Sequence, residues 1–130
     1  MSKRAQEPAA RKLRIRFRVL YGEDIALGPG KIQLLNLVRE TGSIRQAAAD
    51  MEMSYMRAWG LIRIMNQCFK QPLVESARGG AKHGGATLTP TGVHVLELYE
   101  KLETKSLAAT QSTRRKLMKL LSPVGWEGER

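Results

Sequence analysis

Cysteine is almost missing from this chain: Cys68 is the only one in 130 residues, so no internal disulfide is available and a reducing cytoplasm fits best. Histidine is nearly as scarce, with two residues. His83 and His94 stand outside any close ligand pattern, and Cys68 is distant from both in sequence, so no metal site is expected. Aromatic residues make up only 5% of the chain. No segment approaches the roughly 18 apolar residues needed to span a bilayer, and the basic N-terminus lacks a following apolar run, which excludes the usual membrane and secretion signals. The scattered carboxylates, separated histidines and lone cysteine form no nucleophile-base constellation, so neither an enzyme nor a cofactor is expected.

Acidic residues are the last scarcity, and this one has a positive meaning. There are 12 Asp+Glu against 22 Lys+Arg, a net charge of +10, which suits a phosphate-binding surface. Such a surface gains affinity by releasing counterions condensed on nucleic acid, so binding should weaken steeply with salt. Charge alone does not decide the partner, because ribosomal and membrane-surface proteins are equally basic. The 42% hydrophobic content argues against wholesale disorder and allows one domain with its own core.

The stretch from Thr41 to Asn66, TGSIRQAAADMEMSYMRAWGLIRIMN, reads as two short helices joined by a tight turn. Ser43 stands where an N-cap belongs, with Arg45 just inside the helix, and Ile44, Ala47, Ala48 and Met51 recur on one apolar side. The paired alanines leave room for another helix to cross closely. Asp50 to Met53 make the turn, and Ser54 offers a second cap. In the second helix Ala58, Leu61, Ile62 and Met65 face the core, while Met56, Gly60, Arg63 and Gln67 face outward between Tyr55 and Trp59 on one side and Arg57 on the other. A helix-turn-helix reads DNA in this way. Arg57 or Arg63 suits guanine, Tyr55 and Ser54 a base edge or phosphate, and Met56 a thymine methyl. The plainer alternative is an amphipathic helix pair whose charges merely face water. Glycine at Gly60 costs about 0.8 to 1.0 kcal/mol relative to alanine, which close approach to another surface would justify.

The flanking sequence completes a domain. Residues 1 to 12 read as a basic, disordered arm. Leu13, Ile15, Phe17 and Val19 alternate with Arg14, Arg16 and Arg18, predicting a half-buried strand, and Ile25 to Leu27 predicts its return partner in a hairpin. Gly28-Pro29-Gly30 opens a helix with a stripe of Ile32, Leu34, Leu35 and Val38, which Gly42 stops. After Pro72, Leu73-Val74 and Thr87-Leu88-Thr89 predict two strands around a basic, glycine-rich loop. That is a wing, and Arg78, Gly79, Gly80, Lys82, His83 and Gly84 are its candidate DNA contacts, the glycines admitting a nucleic-acid backbone. The loop lacks the ending and strand context of a nucleotide-binding P-loop.

Thr89 is placed to cap a last helix from Pro90 to about Leu121, although Ala108 to Arg115 is too polar to guarantee continuity. Val93, Leu96, Tyr99 and Leu102 form its apolar side, expected to meet a second copy rather than fold back on its own domain. The fold class is therefore mainly α with small β elements: a winged helix-turn-helix over 13–89 with an N-terminal β-hairpin, a long C-terminal dimerisation helix over 90–121, and a loose tail over 122–130.

GPGKIQLLNLVRETGSIRQAAADMEMSYMRAWGLIRIMNQ, followed by PLVESARGGAKHGGATLTPTG and LELYEKL, resembles the N-terminal winged helix-turn-helix of the molybdate-responsive regulators, the ModE family, a relative of the LysR-type head. The resemblance covers roughly residues 13 to 105 and implies a bacterial or archaeal dimer on a two-fold symmetric operator in double-stranded DNA. Ser54, Tyr55 and Arg57 match; Met56 stands where the family often has lysine, Glu52 where glycine is common, and Ala81 and His83 interrupt the glycine pattern of the wing. About 25 residues follow the resemblance, too few for the family's oxyanion-binding module, so no oxyanion site is expected here. The sequence thus predicts a specific transcriptional regulator of the ModE type without that module, connected to molybdenum only by resemblance. The alternative is a low-specificity DNA-organising or protein-interaction module, for which scrambled DNA should bind equally well.

Overall fold

The structure, a computed structural model, describes residues 13–76 and 85–122. Arg16–Glu103 forms one compact unit, and residues 104–122 belong to another.

The unit opens on a hairpin of β1 (Val19–Tyr21) and β2 (Asp24–Leu27), paired antiparallel with Leu20 opposite Ile25 and a bulge after Val19. The strand expected over residues 13–19 is corrected: pairing begins only at Val19. β2 has four residues, so it offers no ladder to the earlier ones. The alternation itself survives in part, since Phe17 and Val19 pack on the core and Arg14, Arg16 and Arg18 are exposed, whereas Ile15 is exposed instead of inward.

α1 (Pro29–Thr41) starts at proline, whose missing N–H is no loss in a first turn, and buries Leu34, Leu35 and Val38. Gly42 ends it in the left-handed region at φ 70°, where its N–H donates to the Val38 carbonyl at 2.8 Å. Lys31 ties this helix to the hairpin, its Nζ donating to the Ile25 carbonyl at 2.7 Å. Burial lowers the Lys31 pKa; Cys68 and Asp24 oppose the change, and Arg18 adds to it.

α2 (Ile44–Asp50) buries Ile44, Ala47 and Ala48, and α3 (Tyr55–Cys68) buries Ala58, Ile62 and Met65. The alanines at the α2 side permit close crossing, as their spacing implied. Leu61 lies half-buried at the edge of that core. Between the helices Glu52 adopts φ 58°, so the left-handed turn expected to suit glycine is made with a side chain in place.

β3 (Val74–Ser76) and β4 (Ala86–Leu88) pair antiparallel, Val74 opposite Leu88. The expected tip of this wing, including Arg78, Gly79, Gly80, Lys82, His83 and Gly84, lies outside the described residues. The wing's base is anchored from two sides. The Ala86 N–H donates to the Gly42 carbonyl at 3.0 Å, and Gly85 bridges Ser43. On the other side Asn66 of α3 accepts from the Leu73 and Val74 N–H groups at 2.8 and 3.3 Å and donates to the Val74 carbonyl at 3.1 Å.

α4 (Pro90–Ala109) begins on a crowded corner. Thr89 Oγ1 accepts from the Gly92 N–H at 2.9 Å and donates to the Pro72 carbonyl at 2.7 Å, as its expected capping role required. A Cβ at Gly92 would run into the Leu73 carbonyl, so only glycine lets the helix start this close to the strand. Beyond it Val95, Leu96 and Tyr99 enter the core, and the Tyr99 hydroxyl donates to the Phe17 carbonyl at 2.7 Å.

Two expectations for the C-terminal region need correction. The helix does not run unbroken to Leu121: it ends at Ala109, and a separate α5 (Gln111–Met118) follows Thr110. Arg114 holds the break, its guanidinium donating to the Leu107 carbonyl at 2.6 Å and to Thr110 Oγ1 at 3.1 Å. Of the residues expected at a dimer surface, Leu96 and Tyr99 are buried by the domain itself, Val93 is half-buried, and Leu102 is 43% exposed. Helical periodicity identifies an apolar face without saying which surface covers it.

Candidate nucleic-acid interface

The two serine caps aim the helix-turn-helix. Ser43 Oγ accepts from the Gln46 N–H at 3.0 Å, and Ser54 Oγ accepts from the Arg57 N–H at 3.0 Å. Each satisfies one orphan donor of a first turn and fixes where its helix begins. Ser54 therefore spends its oxygen on the helix, which leaves its hydroxyl hydrogen for an outside acceptor.

Because Ala58, Ile62 and Met65 are drawn inward, the opposite side of α3 must face solvent. Met56 is 72% exposed there, Arg57, Trp59, Arg63 and Gln67 are exposed, and Gly60 is partly covered. Nothing lies within 4 Å of the position a Gly60 Cβ would take, so the fold itself does not require glycine. Tyr55 is half-buried and sits beneath Arg45, whose guanidinium carbon is 4.6 Å from the ring centroid. This stack joins the first turn of α2 to the first turn of α3.

The electrostatics are one-sided. α3 contains no acidic residue, and among the described residues no carboxylate pairs with Arg45, Arg57 or Arg63. The carboxylates Glu97, Glu100 and Glu103 instead lie along α4, beside Asn36 and Arg39 of α1. The expected contacts Ser43, Arg45, Ser54, Tyr55, Met56, Arg57, Gly60 and Arg63 are thus brought onto the two capped helices. Asn66 escaped sequence reasoning. Its position next to outward-facing Gln67 gave no sign that it anchors the wing, because that role depends on a strand eight residues away.

Among the described residues no group of His, Cys, Asp and Glu is placed to hold a metal ion, and no helix is long and apolar enough to cross a membrane.

Two antiparallel strands, three helices around a turn and an exposed basic third helix define a winged helix-turn-helix DNA-binding domain. Residues 30–93 match the bacterial regulatory helix-turn-helix proteins of the lysR family. The fold resembles that of the CbnR DNA-binding domain, solved in complex with DNA, with a TM-score of 0.52 at 18% identity, covering 68% of this chain and 95% of that one. The chain is 45% identical over 74 residues to the DNA-binding transcriptional dual regulator ModE of Escherichia coli, covering 57% of this chain and 28% of that protein. It is 38% identical over 77 residues to the transcriptional regulator ModE of Haemophilus influenzae, covering 59% and 30%. The helix-turn-helix region of this chain is similar in sequence to these ModE regulators. The chain spans under a third of the length of these relatives.

Proposed function

We propose that this chain is a sequence-specific transcriptional regulator that places α3 in the major groove of a two-fold symmetric operator. The observation that carries this reading is the capped, acid-free α3, which offers Met56, Arg57, Gly60 and Arg63 on one exposed face. Arg45 and the Ser43 end of α2 adjoin the phosphate backbone, and the segment from Arg78 to Gly84 supplies the wing's contacts. Binding, rather than catalysis, is the activity assigned, in the cytoplasm where the chromosome lies.

The same reading makes the protein a homodimer. Leu98 and Leu102 are exposed one turn apart on α4, so they form the apolar pair that a second copy would cover. Leu98→Glu with Leu102→Glu should leave a monomer in sedimentation; a persisting dimer would move the interface elsewhere.

Fluorescence anisotropy against a duplex from the region upstream of the chain's own gene, and against a scrambled duplex, tests specificity at physiological salt. Tighter binding to the upstream duplex is expected, with affinity falling as salt rises. Equal affinity for both would favour a DNA-organising role, for which the net charge of +10 is the supporting observation.

A further inference from the structure

The first two outward turns of α3 present carbon where a DNA reader usually presents donors. Met56 projects 72% exposed, and Gly60 stands on the next turn with nothing within 4 Å of its missing Cβ. An open depression runs from them to Gln67, lined by Leu61 and Ile64, with Arg57 and Arg63 at its edges. Recognition helices meet base edges with their N-terminal residues, which puts the Met56–Gly60 end of this depression, rather than its Gln67 end, nearest the bases. Of the groups that the four base pairs present in the major groove, the thymine 5-methyl alone is apolar.

We infer that the Met56–Gly60 depression is a seat for the 5-methyl group of thymine, so that this chain selects its operator at that position by methyl burial rather than by hydrogen bonding. The inference rests on the proposed DNA-binding reading and adds the ligand chemistry to it. Charge complementarity supports the occupant. Arg57 and Arg63 hold the flanking phosphates or guanines, while Met56, Gly60, Leu61 and Ile64 have no side-chain donor to offer a base edge. A side chain at position 60 would fill the seat, which accounts for a glycine that neither the helix nor its neighbours require.

The test uses the full chain and a synthetic random duplex pool with unmodified cytosine, in which thymine is the only source of the methyl. The tightest-binding duplex is remade with deoxyuridine replacing thymine one position at a time. At one thymine of each half-site, removing the methyl should weaken binding about fourfold, the value of burying one such group. In Met56→Ala the same replacement should cost nothing, while the salt dependence stays that of the parent. Duplex binding that is indifferent to every thymine replacement would overturn the seat and leave the DNA reading intact. Enrichment of no duplex over the starting pool would overturn both, and a thymine penalty unchanged in Met56→Ala would move the seat away from Met56.

Discussion

The Arg45 guanidinium lies over the Tyr55 ring, 4.6 Å from its centroid, and so links the first turns of the two helices of the helix-turn-helix. Among the described residues the stack holds Arg45 without a carboxylate partner, which would cancel its charge. Tyr55→Leu should lose the coupling and Tyr55→Phe should keep it, because the ring face and not the hydroxyl attracts the cation. A double-mutant cycle with Arg45→Gln, read by DNA titration, should give a coupling of about 0.5–1 kcal/mol. Strictly additive losses would leave Arg45 and Tyr55 as independent contacts.

Gly60→Ala separates folding from binding. In the free protein the methyl meets open space and removes backbone entropy from the unfolded chain, so the urea midpoint should rise, by about 0.5–1 kcal/mol of stability. Affinity for DNA should fall at the same time. A variant both more stable and equally good at binding would show that nothing approaches Gly60 closely.

Asn66→Ala strips the hydrogen bonds that hold the Leu73–Val74 segment to α3. Its two N–H groups would lose their acceptor in a partly buried place, costing about 1–3 kcal/mol. Hydrogen exchange is the direct readout: the Leu73 and Val74 amides should lose protection while the centre of α1 keeps it.

Glu52→Gly should stabilise the protein by roughly 1 kcal/mol, because a side chain is strained at φ 58° and glycine is not. Thermal unfolding checks this. An unchanged or lower midpoint would mean that the turn gains as much from glutamate elsewhere as it loses in strain.

Burial raises the Tyr99 pKa from its ordinary value of 10.0, Glu103 raises it further, and Arg16 opposes them. The folded state therefore holds this proton more tightly than the unfolded chain does. Its contribution is complete below pH 10.0 and is lost as pH rises from there through the folded pKa. Tyr99→Phe should be less stable than the parent by about 1 kcal/mol at neutral pH, for want of the bond to the Phe17 carbonyl. The gap should narrow above pH 10.0, and urea titrations at both pH values would reveal a gap that fails to close.

The parts of the fold legible in the sequence are those decided locally. Ser43 and Ser54 announce their helices because a cap acts over three residues, and the stripe of Leu34, Leu35 and Val38 is a matter of one helix's own period. What depends on a distant neighbour was hidden. The β1 ladder is short because β2 is short, and Gly92 is needed because Leu73 comes within reach of it. Leu96 and Tyr99 show an apolar face that equally suits a second copy or the chain's own core, and only the tertiary arrangement chooses. For the candidate interface, the residue types and the exposed side of α3 were readable, whereas the Arg45–Tyr55 stack and the open seat at Gly60 required three dimensions.

The double anchorage of the wing makes it part of a measuring instrument. Asn66 fastens one side of its base to α3, and Gly42 and Ser43 fasten the other to the corner between α1 and α2. The gap between α3 and the base of the wing is then set by the helices, like the jaws of a caliper locked at one opening. On the proposed DNA-binding reading, substitutions on the exposed face of α3 can then alter affinity without resetting the jaws, so affinity has room to evolve separately from spacing.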